Sequence, residues 1–306
     1  MAKYQIFSDS CCDIPTELRH AHDIEYVRMN IVVDGVEKHA DLDWEEYKPE
    51  EFYGWLASGK KIKTNQIPME EFIEKFSATL EKGLDIIYIG CSSALTGSMN
   101  VLNLCKDDIL AKYPGRKIIA IDSLTAAGTL GLLVLEAAKK RDEGLSIEEL
   151  EKWVEDNKFK FNQFATVDTL TYLKNAGRIK GSKAVMGNLF HKKPIFISDR
   201  KGNNYTLGTV TGTKNADAKL FEGIKNRIDK EKCNTVIICQ GMAMDRALRL
   251  KKRFEDELKV EVLIWWIGPI IGTTCGPGVL ATFCYGKEVT CFEGDGKPTD
   301  MTFNNL

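Results

Sequence analysis

The chain has 306 residues, 42 basic against 44 acidic side chains, a formal charge of −2 and 43% hydrophobic residues, enough to bury a core shared by two domains. This balance excludes the basic footprint expected of a nucleic-acid binder or an anionic-membrane binder. Nine cysteines without Cys-x-x-Cys spacing, and a start at Met1-Ala2-Lys3-Tyr4 with no apolar leader, point to free thiols in a cytoplasmic protein and no structural zinc.

Taken in order, Tyr4-Gln5-Ile6-Phe7 is predicted as a strand that delivers Ser8-Asp9-Ser10-Cys11-Cys12-Asp13 into a loop before Pro15. Ile24 to Val33 alternates as one strand and ends at Asp34-Gly35, a hairpin signal. Trp44 to Leu56 reads as a helix closed by Ser58-Gly59. Lys61 to Pro68 is extended and places Thr64, Asn65 and Gln66 just before a helix from Met69 to Glu81. Asp85-Ile86-Ile87-Tyr88-Ile89 has the continuous apolar run of a buried parallel strand. It runs into Cys91-Ser92-Ser93-Ala94-Leu95-Thr96-Gly97-Ser98, a turn crowded with hydroxyls at the head of a helical pattern. Lys117 to Ile121 is another strand, and Asp122-Ser123-Leu124-Thr125 is read as the cap of an apolar helix beginning at Ala126. That helix is too short to span a bilayer. Ser146 to Glu149 is a capping box.

Four times a strand or extended piece delivers hydroxyl, carboxyl or amide groups into a loop that opens a helix. Such repeated units predict a parallel sheet with helices on both faces. Ligands of sheets like this gather at the carboxyl ends of the strands, where free N–H groups favour an anion. The first domain is assigned to residues 1–160.

The second, a further α/β domain over residues 161–290, is read as follows. Phe164 to Val167 is a strand, and Asp168 to Lys174 a short helix ended by Gly177. Pro194 to Ser198 and Tyr205 to Gly212 form a hairpin around a polar turn. Helices from Asp217 and from Arg246 alternate with strands Thr235 to Cys239 and Val260 to Ile267. Gly268 to Gly278 is predicted as a tight loop, Val279 to Tyr285 as the last strand, and 291–306 as a tail. The histidines at 20, 22, 39 and 191 lack ligand spacing and are read as surface residues, so no metal or cofactor is expected.

The ordered series of motifs is specific where each alone is weak. Ser8-Asp9-Ser10, Thr64-x-Gln66, Ser92-Ser93-x-Leu95-Thr96-Gly97, Asp122-Ser123, Asp168-Thr169-Leu170 running to Gly177-Arg178-Ile179, Lys193-Pro194-Ile195 and Gly268-Pro269 to Gly276-Pro277-Gly278 occur in that sequence. Together they resemble the DegV family of bacterial fatty-acid-binding proteins across residues 4 to 285. The resemblance implies two domains with a tunnel between them for one long-chain fatty acid, C14–C18. It implies a carboxylate held by Thr64 and Ser93, with Arg178 at the polar end, and with Ser92, Asn65, Gln66, Thr274 and Cys275 around it. Asp9, Ser10, Thr96 and Gly97 would form a hydrogen-bonded layer beneath. Some members present the carboxylate to a separate ATP-dependent fatty-acid kinase, which makes this chain a carrier rather than a catalyst.

The family's Thr-Ser-Gln-Pro-Ser-Pro reads Thr64-Asn65-Gln66-Ile67-Pro68-Met69 here. Its Gly-Thr-His-Thr-Gly-Pro-Gly reads Gly272-Thr273-Thr274-Cys275-Gly276-Pro277-Gly278, so Thr274 replaces a histidine. A competing class is the binding subunit of a kinase for a small polar carboxylate or phosphorylated ligand. A serine hydrolase is the third, disfavoured because Gly-x-Ser-x-Gly is missing and no histidine neighbours these motifs. A long apolar cavity between the domains separates the first reading from the second.

Overall fold

The computed structural model describes residues 4–178, 180–181 and 192–291, together with Phe303. Ile179, His191 and most of the expected tail lie outside the described residues. In chain order the first half holds β1 (Tyr4–Asp9), α1 (Thr16–Ala21), β2 (Ile24–Val27), β3 (Asn30–Val33), β4 (Val36–His39), α2 (Pro49–Ala57), β5 (Ile62–Asn65) and α3 (Met69–Glu81). It continues with β6 (Asp85–Gly90), α4 (Ser98–Leu110), β7 (Ile118–Asp122), α5 (Ala127–Asp142) and α6 (Ile147–Asn157).

The apolar, β-branched strands build a four-stranded parallel sheet in the order β2-β1-β6-β7. Phe7 and Tyr88 are register partners, and their rings meet Phe76 and Phe72 of α3 at 5.0 and 5.5 Å. Helices α5 and α6 cover the other face. A small antiparallel sheet, β4-β3-β5, stands beside this layer. Its hairpin turns at Asp34 and Gly35, with φ of 49° and 89°, the left-handed pair that matches strand twist.

The second half holds β8 (Phe161–Thr166), α7 (Thr171–Ala176), β9 (Lys180–Gly181), β10 (Lys192–Ser198), β11 (Asn204–Thr211), α8 (Thr213–Arg227) and β12 (Thr235–Gln240). Then come α9 (Met244–Leu258), β13 (Glu261–Trp266), α10 (Pro269–Cys275) and β14 (Leu280–Tyr285). Their mixed sheet runs β13-β12-β14-β8-β10-β11-β9. Helices α8 and α9 pack on it around Phe164, Phe221 and Phe254. The remaining face is covered by α5, which touches β8, β12 and β14 as well as β1 and β6. Lying between two sheets, α5 buries 12 of its 16 residues.

Four expectations need correction. Ile24 to Val33 is two strands in different sheets, because the Arg28 N–H goes to Glu71 Oε1 and the Met29 N–H to Ser10 Oγ instead of to a strand partner. Helix α2 begins at Pro49 instead of Trp44: Trp44 has φ 56°, incompatible with a helix, while proline suits the first helical turn. Asp122 to Thr125 does not cap α5. The Ala127 N–H is taken by the Cys11 carbonyl at 2.7 Å, and the Asp122 carboxylate accepts from the amides of Ser93 and Leu124. The predicted loop after Gly268 contains helix α10, started by Pro269 and stopped at Gly276, whose φ is 76°.

Candidate functional site

A cavity of about 1000 Å³ opens between the two halves, at the upper end of the range for small-molecule sites. Strand β5 and the residues before it form one rim, from Gly59 through Thr64, Asn65 and Gln66. The turn after β6 contributes Leu95, Thr96 and Gly97; α7 and the residues after it contribute Tyr172 and Arg178; α10 contributes Ile270, Ile271, Thr274 and Cys275. Contacts between the halves draw these elements together. Arg178 Nε donates to the Leu95 carbonyl at 2.6 Å, and Tyr172 OH donates to the Leu56 carbonyl at 3.0 Å. Tyr53 OH donates to the Ile267 carbonyl at 2.9 Å, and the Gly268 N–H to Asp13 Oδ1 at 3.0 Å.

The wall has two textures. Polar groups form a continuous arc. Gln66 lies against Gly97, where any side chain would meet Gln66 Oε1 at 2.1 Å. Asn204 Nδ2 donates to the Arg178 carbonyl at 3.1 Å, and Gln163 Nε2 donates to Asn204 Oδ1 at 3.4 Å. The rest of the wall is apolar or sulfur-bearing, with Met29, Phe196, Ile267, Val279 and Phe283 among its members. Lys60, Lys61, Lys63 and Arg178 are its charged members, and among the described residues no Asp or Glu lines it. Coulomb's law therefore favours an anion at this mouth.

Of the sequence-predicted residues, Thr64, Asn65, Gln66, Thr96, Gly97, Arg178, Thr274 and Cys275 share this one wall. Thr64 and Gln66 are exposed towards it, while Asn65 Nδ2 donates to Glu37 Oε1 at 3.3 Å. Thr96 Oγ1 pairs with Ser98 Oγ at 2.9 Å. Thr274 Oγ1 donates to the Ile270 carbonyl of its own helix at 3.2 Å. The Cys275 thiol is pushed up to about 12, by burial first and by Asp13 second, so it rests protonated.

The serine pair sits differently. Ser92 is fully buried behind the wall and donates to the Gly202 carbonyl at 2.9 Å, another clamp between the halves. Ser93 is exposed on the outer side of the turn, its N–H donated to Asp122 Oδ1 at 3.2 Å, and it does not line the cavity. Asp9 and Ser10 lie behind the sulfur-bearing part of the wall. Asp9 Oδ2 accepts from Tyr88 OH at 2.8 Å and from the Cys91 N–H at 2.7 Å, and Oδ1 accepts from the Cys11 N–H at 2.9 Å. Burial pushes the Asp9 carboxyl above its ordinary range, against the pull of these three donors.

Gln163, Asn204, Lys60 and the isoleucines of α10 are wall residues that sequence reasoning missed. Gln163 carried a signal, a carboxamide within a run of strand-forming residues. The α10 residues carried none, since their glycines and threonines read as loop.

The residue 3–287 stretch matches the family model described as an uncharacterised protein of the DegV family, and the chain belongs to that family. The DegV domain-containing protein CPE0026 of Clostridium perfringens is 33% identical over 287 residues, covering 94% of this chain and 98% of its own. Among solved structures, a fatty-acid-binding DegV family protein from Thermus thermophilus is 24% identical and superposes with a TM-score of 0.80, covering 93% of this chain and 100% of that one. A stearic-acid-binding protein from Eubacterium ventriosum, also 24% identical, gives 0.82 over 92% and 98%. These two likenesses establish the shared two-domain α/β fold.

Proposed function

We propose that this chain binds one long-chain fatty acid in the cavity between its halves, with the carboxylate at the polar arc and the acyl chain along the apolar wall. The observation that carries the reading is the pairing of a cationic, donor-rich mouth with an apolar interior of this volume. Burying methylene groups contributes about 0.8 kcal/mol each, so a ten-carbon stretch gives roughly 8 kcal/mol before the cost of ordering. A carboxylate taken out of water needs donors or counter-charges, and Thr64, Gln66 and Arg178 offer both. The solved relatives whose descriptions name stearic, vaccenic and heptadecanoic acid support the ligand class.

Thr64 and Arg178 are assigned to the carboxylate directly. Ser93, on the same turn as Leu95 to Gly97 but outside the cavity wall, is not assigned to it. The exposed mouth also suits presentation of the carboxylate to a separate ATP-dependent kinase that forms an acyl phosphate. A small polar ligand would leave Phe196, Phe283 and the α10 isoleucines uncovered, and for that reason is the weaker reading.

Native mass spectrometry followed by lipid extraction is the test. One C14–C18 fatty acid per chain is expected, and acyl phosphate on addition of ATP and a fatty-acid kinase. Thr64→Ala should weaken binding about tenfold, the worth of one hydrogen bond to a charged group, and Ser93→Ala should leave it unchanged. A Ser93→Ala protein that binds about tenfold more weakly would move the carboxylate outwards, from Thr64 and Arg178 to the lip of the turn. A protein that purifies empty and refuses both palmitate and oleate would remove the lipid reading.

A further inference from the structure

All nine cysteines are free and buried, but Cys11 and Cys91 stand in a special relation. They occupy the first turns beyond β1 and β6, which are adjacent parallel strands. The Asp9 carboxylate accepts the backbone N–H of both, one on each oxygen, at 2.9 and 2.7 Å. Each thiol lies in the other's immediate surroundings, and Cys11 Sγ is 3.7 Å from Met29 Sδ. Both cysteines line the cavity. Two thiols are thus held together by a shared carboxylate, facing a space that small molecules can enter.

We propose that Cys11 and Cys91 are an oxidisable pair in the cavity wall, which closes to an intramolecular disulfide when a hydroperoxide enters the unoccupied cavity. Neighbouring strands lie about 4.8 Å apart, so the turns that leave β1 and β6 side by side start within the ~4.4–6.8 Å Cα range of a disulfide. One sulfur attacks the O–O bond, becomes a sulfenic acid and releases an alcohol, or water from hydrogen peroxide. The second sulfur displaces the sulfenic hydroxyl as water, and the S–S bond forms. The two thiols lose two electrons, the peroxide gains them, and the two thiol protons leave in the alcohol and the water. The neighbouring Cys91 first and burial second push the Cys11 thiol well above its ordinary range, and against the pull of Cys11 burial holds the Cys91 thiol above its own, so the pair is stable until water and oxidant reach it. A bound acyl chain would cover this wall; that part of the inference rests on the lipid reading.

The experiment uses the full chain, reduced and delipidated, treated with hydrogen peroxide with and without added palmitate, then digested without reductant and sequenced by mass spectrometry. A Cys11–Cys91 cross-linked peptide, about 2 Da lighter than its reduced parts, is the expected principal product. The Cys12→Ser protein should form the same link, which separates Cys11 from its neighbour. Palmitate should slow the link roughly tenfold or more, because the lipid and the oxidant compete for one space. Absence of the link in folded wild-type protein, or oxidation falling mainly on other cysteines, overturns the pair. Equal rates with and without palmitate keep the pair and remove the acyl chain from this wall.

Discussion

Asp13 shows how one side chain carries the junction between the halves. Its φ is 54°, a left-handed conformation, and it is fully buried with Oδ1 accepting the Gly268 N–H while Oδ2 has no partner among the described residues. Burial, reinforced by Asp9, pushes its carboxyl well above the ordinary range. The folded state therefore holds a proton that the unfolded chain releases near pH 4. A raised folded pKa gives stability that is fully present below the unfolded value and lost as pH climbs towards the folded one. Asp13→Asn keeps the shape, tolerates the left-handed backbone and has no proton to lose. Urea midpoints should show little difference between variant and wild type at pH 4, and a variant advantage that grows between pH 5 and 8. An advantage independent of pH would show that the carboxyl ionises freely in the folded protein.

At the scale of elements, α5 owes its place to two glycines. A side chain at Gly131 would meet the Cys12 carbonyl oxygen at 2.4 Å, and one at Gly128 the Phe283 ring at 2.5 Å. Glycine costs a helix up to about 1 kcal/mol relative to alanine, and close approach on both sides offsets it here. Gly131→Ala should destabilise by about 1–3 kcal/mol through overpacking against backbone that cannot yield. Gly54→Ala in α2, where nothing lies within 4 Å, should stabilise by about 0.5–1 kcal/mol. Thermal melts of the two proteins should move in opposite directions, and a stabilising Gly131→Ala would contradict the packing described.

The same elements show what the residues announced and what they concealed. The capping box at Ser146 and Glu149 forms with both of its hydrogen bonds, and α3 spans Met69–Glu81 as its periodicity predicts. Such features are local, written in neighbouring residues. The break between β2 and β3 depends on Ser10 and Glu71, remote in sequence. Helix α10 has only seven residues, and two of its members are threonines whose hydroxyls bond back into the helix. The wall was legible where motifs cluster, at Thr64 to Gln66 and at Leu95 to Gly97. It was illegible at Asn204, which reaches it only through the pairing of β11 in the sheet of the second half. Ser93 stood out for its motif, and only the three-dimensional path of the turn shows it on the outer side.

For the whole molecule, one core lies wholly in the second half, around Phe164, Phe221 and Phe254, and a larger one crosses residue 160. One continuous apolar cluster runs from Ile6 and Leu133 to Phe161, Trp265 and Phe283. Expressed alone, residues 1–160 would expose the face of α5 that β8, β12 and β14 cover, and residues 161–306 would expose that side of their sheet. Each half is expected to bind a hydrophobic dye and to lack a cooperative melt, whereas the full chain unfolds in one transition. A sharp melt from either half would show that the shared helix is dispensable.

The sandwiched position of α5 also bears on how a lipid could get in. Two lobes joined by a flexible strap can part like a clamshell, but lobes that grip the same helix from opposite sides cannot separate without exposing it to water. Entry and exit must then come from small excursions of the rim, where β5 is an exposed edge strand and α7 is a helix of six residues tied across by the Tyr172 and Arg178 hydrogen bonds. Loading becomes a matter of a hatch, with its latch made of two side chains.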